Sequence, residues 1–293
     1  MGAAAAVVLA ASLPASAGSR DDLGTLRIGM VSPSGSRVVA GLGKMTRAFE
    51  EAAGVPAEMF VARDSEALIR AIASGRVHYA LLSATGFAVA DAYCQCVEPL
   101  AAPRGVDGAI GVRAALIARR GRPVTMQGLG RARVVAGPVD EVGPQVLALS
   151  ALNEVLSPGR RDAVLHSGSQ SQAEAVFAAG EADALVGWVP AFVDGRAPSR
   201  SGTLTRLEKL GIAPSELEVI WTSGVVAFGP HTVRRDVPAE LKIRLGSFLE
   251  NLYTASPEIY ALLEPYRGGG FKKIGAADYE AAARIAEVSV ARR

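Results

Sequence analysis

Two stretches of this chain carry the same order of parts. Ala67–Leu82 and Ala173–Val186 each run as a helix, a turn of small residues with glycine, a charged residue, and then a buried strand that ends at a loop (SGRVHYALL in the first, AGEADALV in the second). Such a unit buries its apolar surface only when the strand enters a sheet whose faces are covered by helices. Its appearance in both halves predicts an α/β protein of two similar lobes, joined by a hinge, with a cleft between them.

The flanking pattern extends this reading. Leu26–Val31 (LRIGMV) predicts a strand, turned by Ser32-Pro33-Ser34-Gly35 into a helix over Ser36–Ala53 that Gly54 stops. Ala57–Ala62, His78–Leu82 and Val97–Ala101 follow as strands, with helices over Ser65–Ser74 and Phe87–Cys94. The chain changes character around Pro103–Gly111, and Val112–Ala118 is a strand that crosses to the second lobe. There Arg133–Ala136, Ala163–His166 and Ala184–Gly187 are strands, and Gln145–Leu156 and Ser169–Ala179 are helices. Glu218–Thr222 and Val225–Phe228 are expected to return to the first lobe, before helices over Pro238–Thr254, Pro257–Leu263 and Ala276–Val288. The expected division is an export segment at 1–17, lobe one at 18–108, lobe two at 109–210, and lobe one again at 211–293.

Residues 1–17 (MGAAAAVVLAASLPASA) carry no charge. Ala3–Leu13 suits the apolar core of a secretory signal, Pro14 breaks it, and Ala15-Ser16-Ala17 fits a small-x-small cleavage site. The basic residue that usually precedes such a core is missing. The segment is too short to span a bilayer, so an exported, soluble protein starting near Gly18 is expected.

Composition excludes several classes of function. With 49% hydrophobic and 20% charged residues the chain should fold. Its 31 basic and 29 acidic residues leave +2, no footprint for nucleic acid. Three scattered histidines and two cysteines argue against a metal centre and a disulfide scaffold, and no cofactor is expected. Gly128-x-Gly130 and Gly268-Gly269-Gly270 form no nucleotide fingerprint, and Ser223-Gly224 lacks the flanks of a hydrolase elbow. No catalytic signature is present, so an enzyme is not expected, and the chain is expected to be monomeric. The arginines at 119, 120, 122, 234 and 235 read as solvated turns.

Several segments in order resemble a known family: LRIGMV, SEALIRAIASGRVHYALLSATGFAVADA, VEPLAAP, LHSGSQSQAEAVFAAGEADALV, LEVIWTSG and VPAELKIRLGSFLENL. Together they are similar to the periplasmic solute-binding proteins of phosphonate, phosphite and phosphate ABC importers, over roughly residues 25–285. The resemblance implies a type II periplasmic binding protein that closes on a small oxyanion or related polar solute and presents it to a membrane permease. It also implies site positions. The family's Ser-Thr-Ser-like run after Pro-Gly falls on Pro138-Val139-Asp140-Glu141-Val142-Gly143, so carboxylates replace two hydroxyl donors. Its aromatic hydroxyl falls on Phe87, within Ser83-Ala84-Thr85-Gly86-Phe87. Its Gly-Ser-His becomes Gly168-Ser169-Gln170, and a tyrosine after the second strand becomes Ser65. Ser32, Ser34, Ser83, Thr85 and Ser169 remain as donors, and Trp188 stands where a ring can stack on a ligand or anchor a core. Asp140 and Glu141 suit a neutral, amine-bearing or hydroxyl-rich ligand; equally, they complement a helix dipole.

Cys94-Gln95-Cys96 has three readings: small buried hydrophobes, a disulfide closing a tiny loop, or thiolates for a thiophilic species. The last matches a branch of the superfamily that senses arsenite and signals to a two-component histidine kinase, which is the alternative partner.

Overall fold

The computed structural model describes residues 23–31, 41–121, 124–138, 145–156, 164–192 and 201–291. The described residues form two six-stranded sheets flanked by helices.

The first lobe begins with β1 (Leu26–Val31), α1 (Leu42–Ala53), β2 (Ala57–Ala62), α2 (Ser65–Ala73), β3 (Tyr79–Leu81), α3 (Ala84–Cys94) and β4 (Val97–Gly105). Strands β1, β2 and β3 are parallel, as the crossover helices require. The second lobe holds β5 (Gly111–Arg119), β6 (Val134–Ala136), α4 (Gln145–Val155), β7 (Val164–His166), α5 (Gln170–Ala178), β8 (Ala184–Ala191), α6 (Thr203–Lys209), β9 (Leu217–Thr222) and β10 (Val226–Ala227). The chain then returns with β11 (His231–Arg234), α7 (Ala239–Ala255), α8 (Pro257–Leu263), β12 (Gly268–Lys273) and α9 (Glu280–Ala291).

Sheet one runs β12-β4-β11-β3-β1-β2; sheet two runs β10-β5-β8-β6-β7, with β9 also on β5. The strands at Leu217–Thr222 and Val226–Ala227 therefore belong to lobe two, against the expectation that lobe one resumes at 211. Strand β5 provides the reason. It is long enough to pair with β8 on one edge and with both β9 and β10 on the other. The crossing back falls at 228–230 instead.

The two crossings lie against each other. Phe228 N–H donates to Ile110 O at 3.2 Å, and the returning crossing is also tied to the end of β3, where Leu82 N–H donates to Pro230 O at 3.2 Å. Gly111 is dictated by this approach, since a Cβ there would stand 2.3 Å from Val226 O. Two connected β-strand segments passing side by side form the hinge of a two-lobed protein.

Helices are built where sequence capping chemistry allows. Asp64 caps α2 through Ala67 N–H at 2.7 Å, and Ser169 caps α5 through Gln172 N–H at 3.1 Å. One core cluster lies between α1, α7 and sheet one. Another joins α2, α3 and α9 of the first lobe to Val146 of α4 in the second.

Candidate functional site

Strand β3 delivers Ser83 to the inner end of the first lobe. Ser83 has extended backbone and caps α3, its Oγ accepting the Gly86 N–H at 3.0 Å. Thr85 Oγ1 lies 3.4 Å from Ser83 Oγ. A capping hydroxyl still has its own hydrogen to give, and the helix start favours negative charge. Both side chains open into a cavity of about 560 Å³. Its other wall is the returning crossing, Val226–His231, together with Glu264 and Arg267 from the turn after α8.

Arg267 is a cleft cation that sequence reading missed. Its guanidinium carbon sits 4.0 Å from the Phe228 ring centroid, and Nη1 lies 3.5 Å from Glu264 Oε1. Stacking on an aromatic face holds the guanidinium plane while leaving edge N–H groups to donate. Only its place before the triple glycine marked it, and nothing in the local sequence tells a cleft from a solvated turn.

His231 lines the same cavity but faces Tyr79, whose hydroxyl is hydrogen-bonded to its Nδ1 at 2.5 Å. Burial without a counter-charge holds the imidazole neutral, with a pKa pushed down to about 3. The same burial raises the Tyr79 phenol. This pair is an uncharged wall.

In the second lobe, Gln170 is buried, not free for a ligand. Its amide meets that of Gln145 and donates to Glu174 Oε1 and Val186 O, each at 3.2 Å. Glu174 is in turn held by Arg206, whose Nε donates to both carboxylate oxygens at 2.8 and 2.9 Å. Arg206 also lies 5.2 Å over the Trp188 ring. The expected donor is thus one link in a packed polar chain. Trp188 stands inside β8 and not after it, because β8 stays paired with β5 as far as Ala191. It is half-buried, and its backbone N–H donates to Thr203 Oγ1 at 3.0 Å.

Phe87 is likewise inside the core, its ring 4.8 Å from that of Tyr279, so it offers no face to a ligand. Ser65 opens the first turn of α2 and is exposed, while Ser169 is half-buried with Oγ 3.0 Å from Ser171 Oγ. Neither Ser169 nor Trp188 lines the Ser83 cavity. Ser32, Ser34, Asp140 and Glu141 lie outside the described residues.

Cys94 and Cys96 are joined as a disulfide, the second of their three readings. Gln95 between them has φ 50°, the left-handed turn that the short loop needs. A disulfide has no thiolate to give arsenite. It also closes the far end of α3, eleven residues from the Ser83 cap, or about 16 Å of helical rise. Among the described residues no His, Cys, Asp or Glu cluster suits a metal, and no helix is long and apolar enough to cross a membrane.

Two α/β lobes, two crossing strands and a cavity at their junction define the class of two-lobed solute-binding proteins. The family follows directly: residues 28–279 match the model of the periplasmic substrate-binding protein of phosphonate ABC transporters, and the chain belongs to that family. This is a solute-binding family, not a catalytic one, and its setting is the periplasm. No curated protein matches the chain. Among solved structures, a Xanthomonas citri protein bound to chloride ion is 17% identical with a TM-score of 0.56, over 92% of this chain and 99% of that one. The same protein bound to ATP gives 16% and 0.55, over 92% and 98%. A Prochlorococcus marinus protein in complex with methylphosphonate gives 14% and 0.49, over 91% and 98%. Likeness to the two Xanthomonas citri structures, at these identities, speaks for the fold alone.

Proposed function

We infer that this protein captures a small phosphonate- or phosphate-like oxyanion between its lobes and presents the closed form to an ABC permease. The observation that carries this is the Ser83 cavity. Two hydroxyl donors at a helix start face Arg267 across about 560 Å³. That donor set suits a tetrahedral anion, whose oxygens accept from hydroxyls and guanidinium together. Glu264 beside Arg267 tempers the charge, which favours a monoanion or an ester over a bare dianion. Ser169, at the start of α5, is the donor offered by the opposite lobe. Closure about the paired crossings would bring its wall towards Ser83.

Isothermal titration with methylphosphonate, phosphite, phosphate and ethanesulfonate tests the reading. At least one should bind, and Arg267→Ala should weaken it about tenfold or more, the usual worth of a charge-assisted hydrogen bond. No heat with any of the four sinks the oxyanion reading. Binding unchanged in Arg267→Ala removes Arg267 from the site. The arsenite reading is disfavoured by the disulfide. Arsenite bound by the wild type and lost in Cys96→Ser would restore it.

A further inference from the structure

The two crossing segments have two faces, because side chains alternate along extended chain. Val112, Val226 and Phe228 front the cavity into which Ser83 opens. Arg113 and Val225 turn the other way, and Ile110, just before β5, borders that side too. On that side lies another cavity of about 640 Å³, walled by both lobes. Lobe one contributes Arg104, Lys272 and Lys273; lobe two contributes Arg113 and Phe192. Pro103 borders both cavities, as part of the partition between them.

The charge here is not the chain's average. The protein carries only +2 overall, yet four cations line this one concavity. Facing them is Asp278, whose Oδ2 already accepts the Gly275 N–H at 2.9 Å. Among the described residues, Arg104, Lys272 and Lys273 have no ion-pair partner. Arg113 is anchored by one bond, Nη1 to Ser223 O at 2.7 Å, and its other N–H groups remain. Like charges gathered in a concave wall raise the local potential and concentrate anions.

The backbone that builds this wall is special. Strand β12 pairs antiparallel with the end of β4, setting Lys272 opposite Ala102 and Lys273 opposite Ala101. Of these partners, Ala102 lines the cavity and its small side chain leaves room there, while Ala101 belongs to the core. The pairing needs glycine, since a Cβ on Gly269 would stand 2.1 Å from Gly105 O. Lobe two answers with an aromatic ring, Phe192, just past the end of β8.

We propose that this cavity is a second ligand site, separate from the oxyanion cleft, for an organic polyanion: a molecule with two or more negative charges and a flat apolar part. The cations take the charged end, Arg113 and Arg104 as forks and the lysines as point charges. Phe192 takes the flat part.

Phenyl phosphate and inorganic pyrophosphate are the probes, titrated calorimetrically into four proteins: wild type, Lys272→Gln/Lys273→Gln, Arg104→Gln, and Ser83→Ala/Thr85→Ala. Lys272, Lys273 and Arg104 are exposed, so their variants should melt as the wild type does. Both probes should bind the wild type, with an affinity that falls steeply with added salt. The lysine variant should bind at least about tenfold more weakly and Arg104→Gln should weaken in the same sense, while Ser83→Ala/Thr85→Ala, which can remove binding only in the oxyanion cleft, should keep this salt-dependent binding event. No binding by the wild type at millimolar probe overturns the site. So does equal binding by all four proteins, or a loss confined to Ser83→Ala/Thr85→Ala, which would place the probe in the oxyanion cleft.

Discussion

At the scale of single residues, His231 makes the protein sensitive to mild acid. Buried against Tyr79 and Phe271, it stays neutral down to about pH 3 when folded, whereas in the unfolded chain it protonates near pH 6.5. Between those values the unfolded state binds the extra proton, so stability rises with pH across that window and falls on acidification. The loss from pH 7 to pH 5 should be about 2 kcal/mol from this residue. His78, also pushed down by burial, adds in the same direction. Urea midpoints at the two pH values check this, and His231→Gln, which keeps an acceptor for the Tyr79 hydroxyl, should flatten most of the slope. A steep slope that survives in His231→Gln would mean another group carries it. Glu174 supports a second expectation. It is 2% exposed and held by Arg206 and Gln170. Glu174→Ala should cost about 2 kcal/mol by stranding those donors in a low-dielectric wall, a figure discounted because Arg206 reaches water. The urea midpoint of that variant at pH 7 reads the cost. These contacts show what sequence can tell at this scale. Ser83 and Ser169 were legible at helix starts, because caps are local chemistry. Gln170 and Phe87 were not, because whether a side chain faces cleft or core depends on partners such as Gln145 and Tyr279, distant in the chain.

At the scale of elements, the strands that local pattern found are those with apolar runs, such as LRIGMV in β1 and ALVG in β8. Those it missed are built by their neighbours. Strand β12 begins with three glycines, which signal a turn, and becomes a strand only because the edge of β4 opposite β11 needs a partner. Strand β11 is four residues long and fills the gap between β3 and β4. The missed strands matter most for function, since Arg267, Lys272 and Lys273 lie on or beside β12. Glycine substitutions separate the two kinds of constraint. Gly111→Ala drives a Cβ into backbone at the hinge, where nothing can yield, and should cost about 2–4 kcal/mol. Gly246 sits within α7, and nothing stands within 4 Å of where its Cβ would lie, so Gly246→Ala should stabilise by about 0.5–1 kcal/mol. Thermal midpoints for the pair should move in opposite directions; a Gly111→Ala protein as stable as wild type would show that the crossings are not packed as described.

At the scale of the whole molecule, the lobes are tied by more than the two crossings. Helix α9 leaves the first lobe and packs on both α3 and α4, so that Ile285, Val226 and Phe87 share one cluster with Val146 of the second lobe. A hinge alone would let each lobe melt at its own temperature. A shared core makes them cooperative, because neither lobe can unfold without exposing apolar surface of the other. Scanning calorimetry of the wild type should therefore give one transition. Val146→Ala/Ile285→Ala trims one side chain of this cluster from α4 and one from α9, each worth about 1–4 kcal/mol in a core, and should lower the midpoint and resolve two transitions. The same contact bears on ligand capture. Closure must carry α4 along α9 while the crossings bend, so an anion in the Ser83 cavity that stabilises the closed form should also raise the midpoint of the single transition. If the double variant still melts in one transition, the crossings alone couple the lobes, and α9 rides on one lobe without tying it to the other.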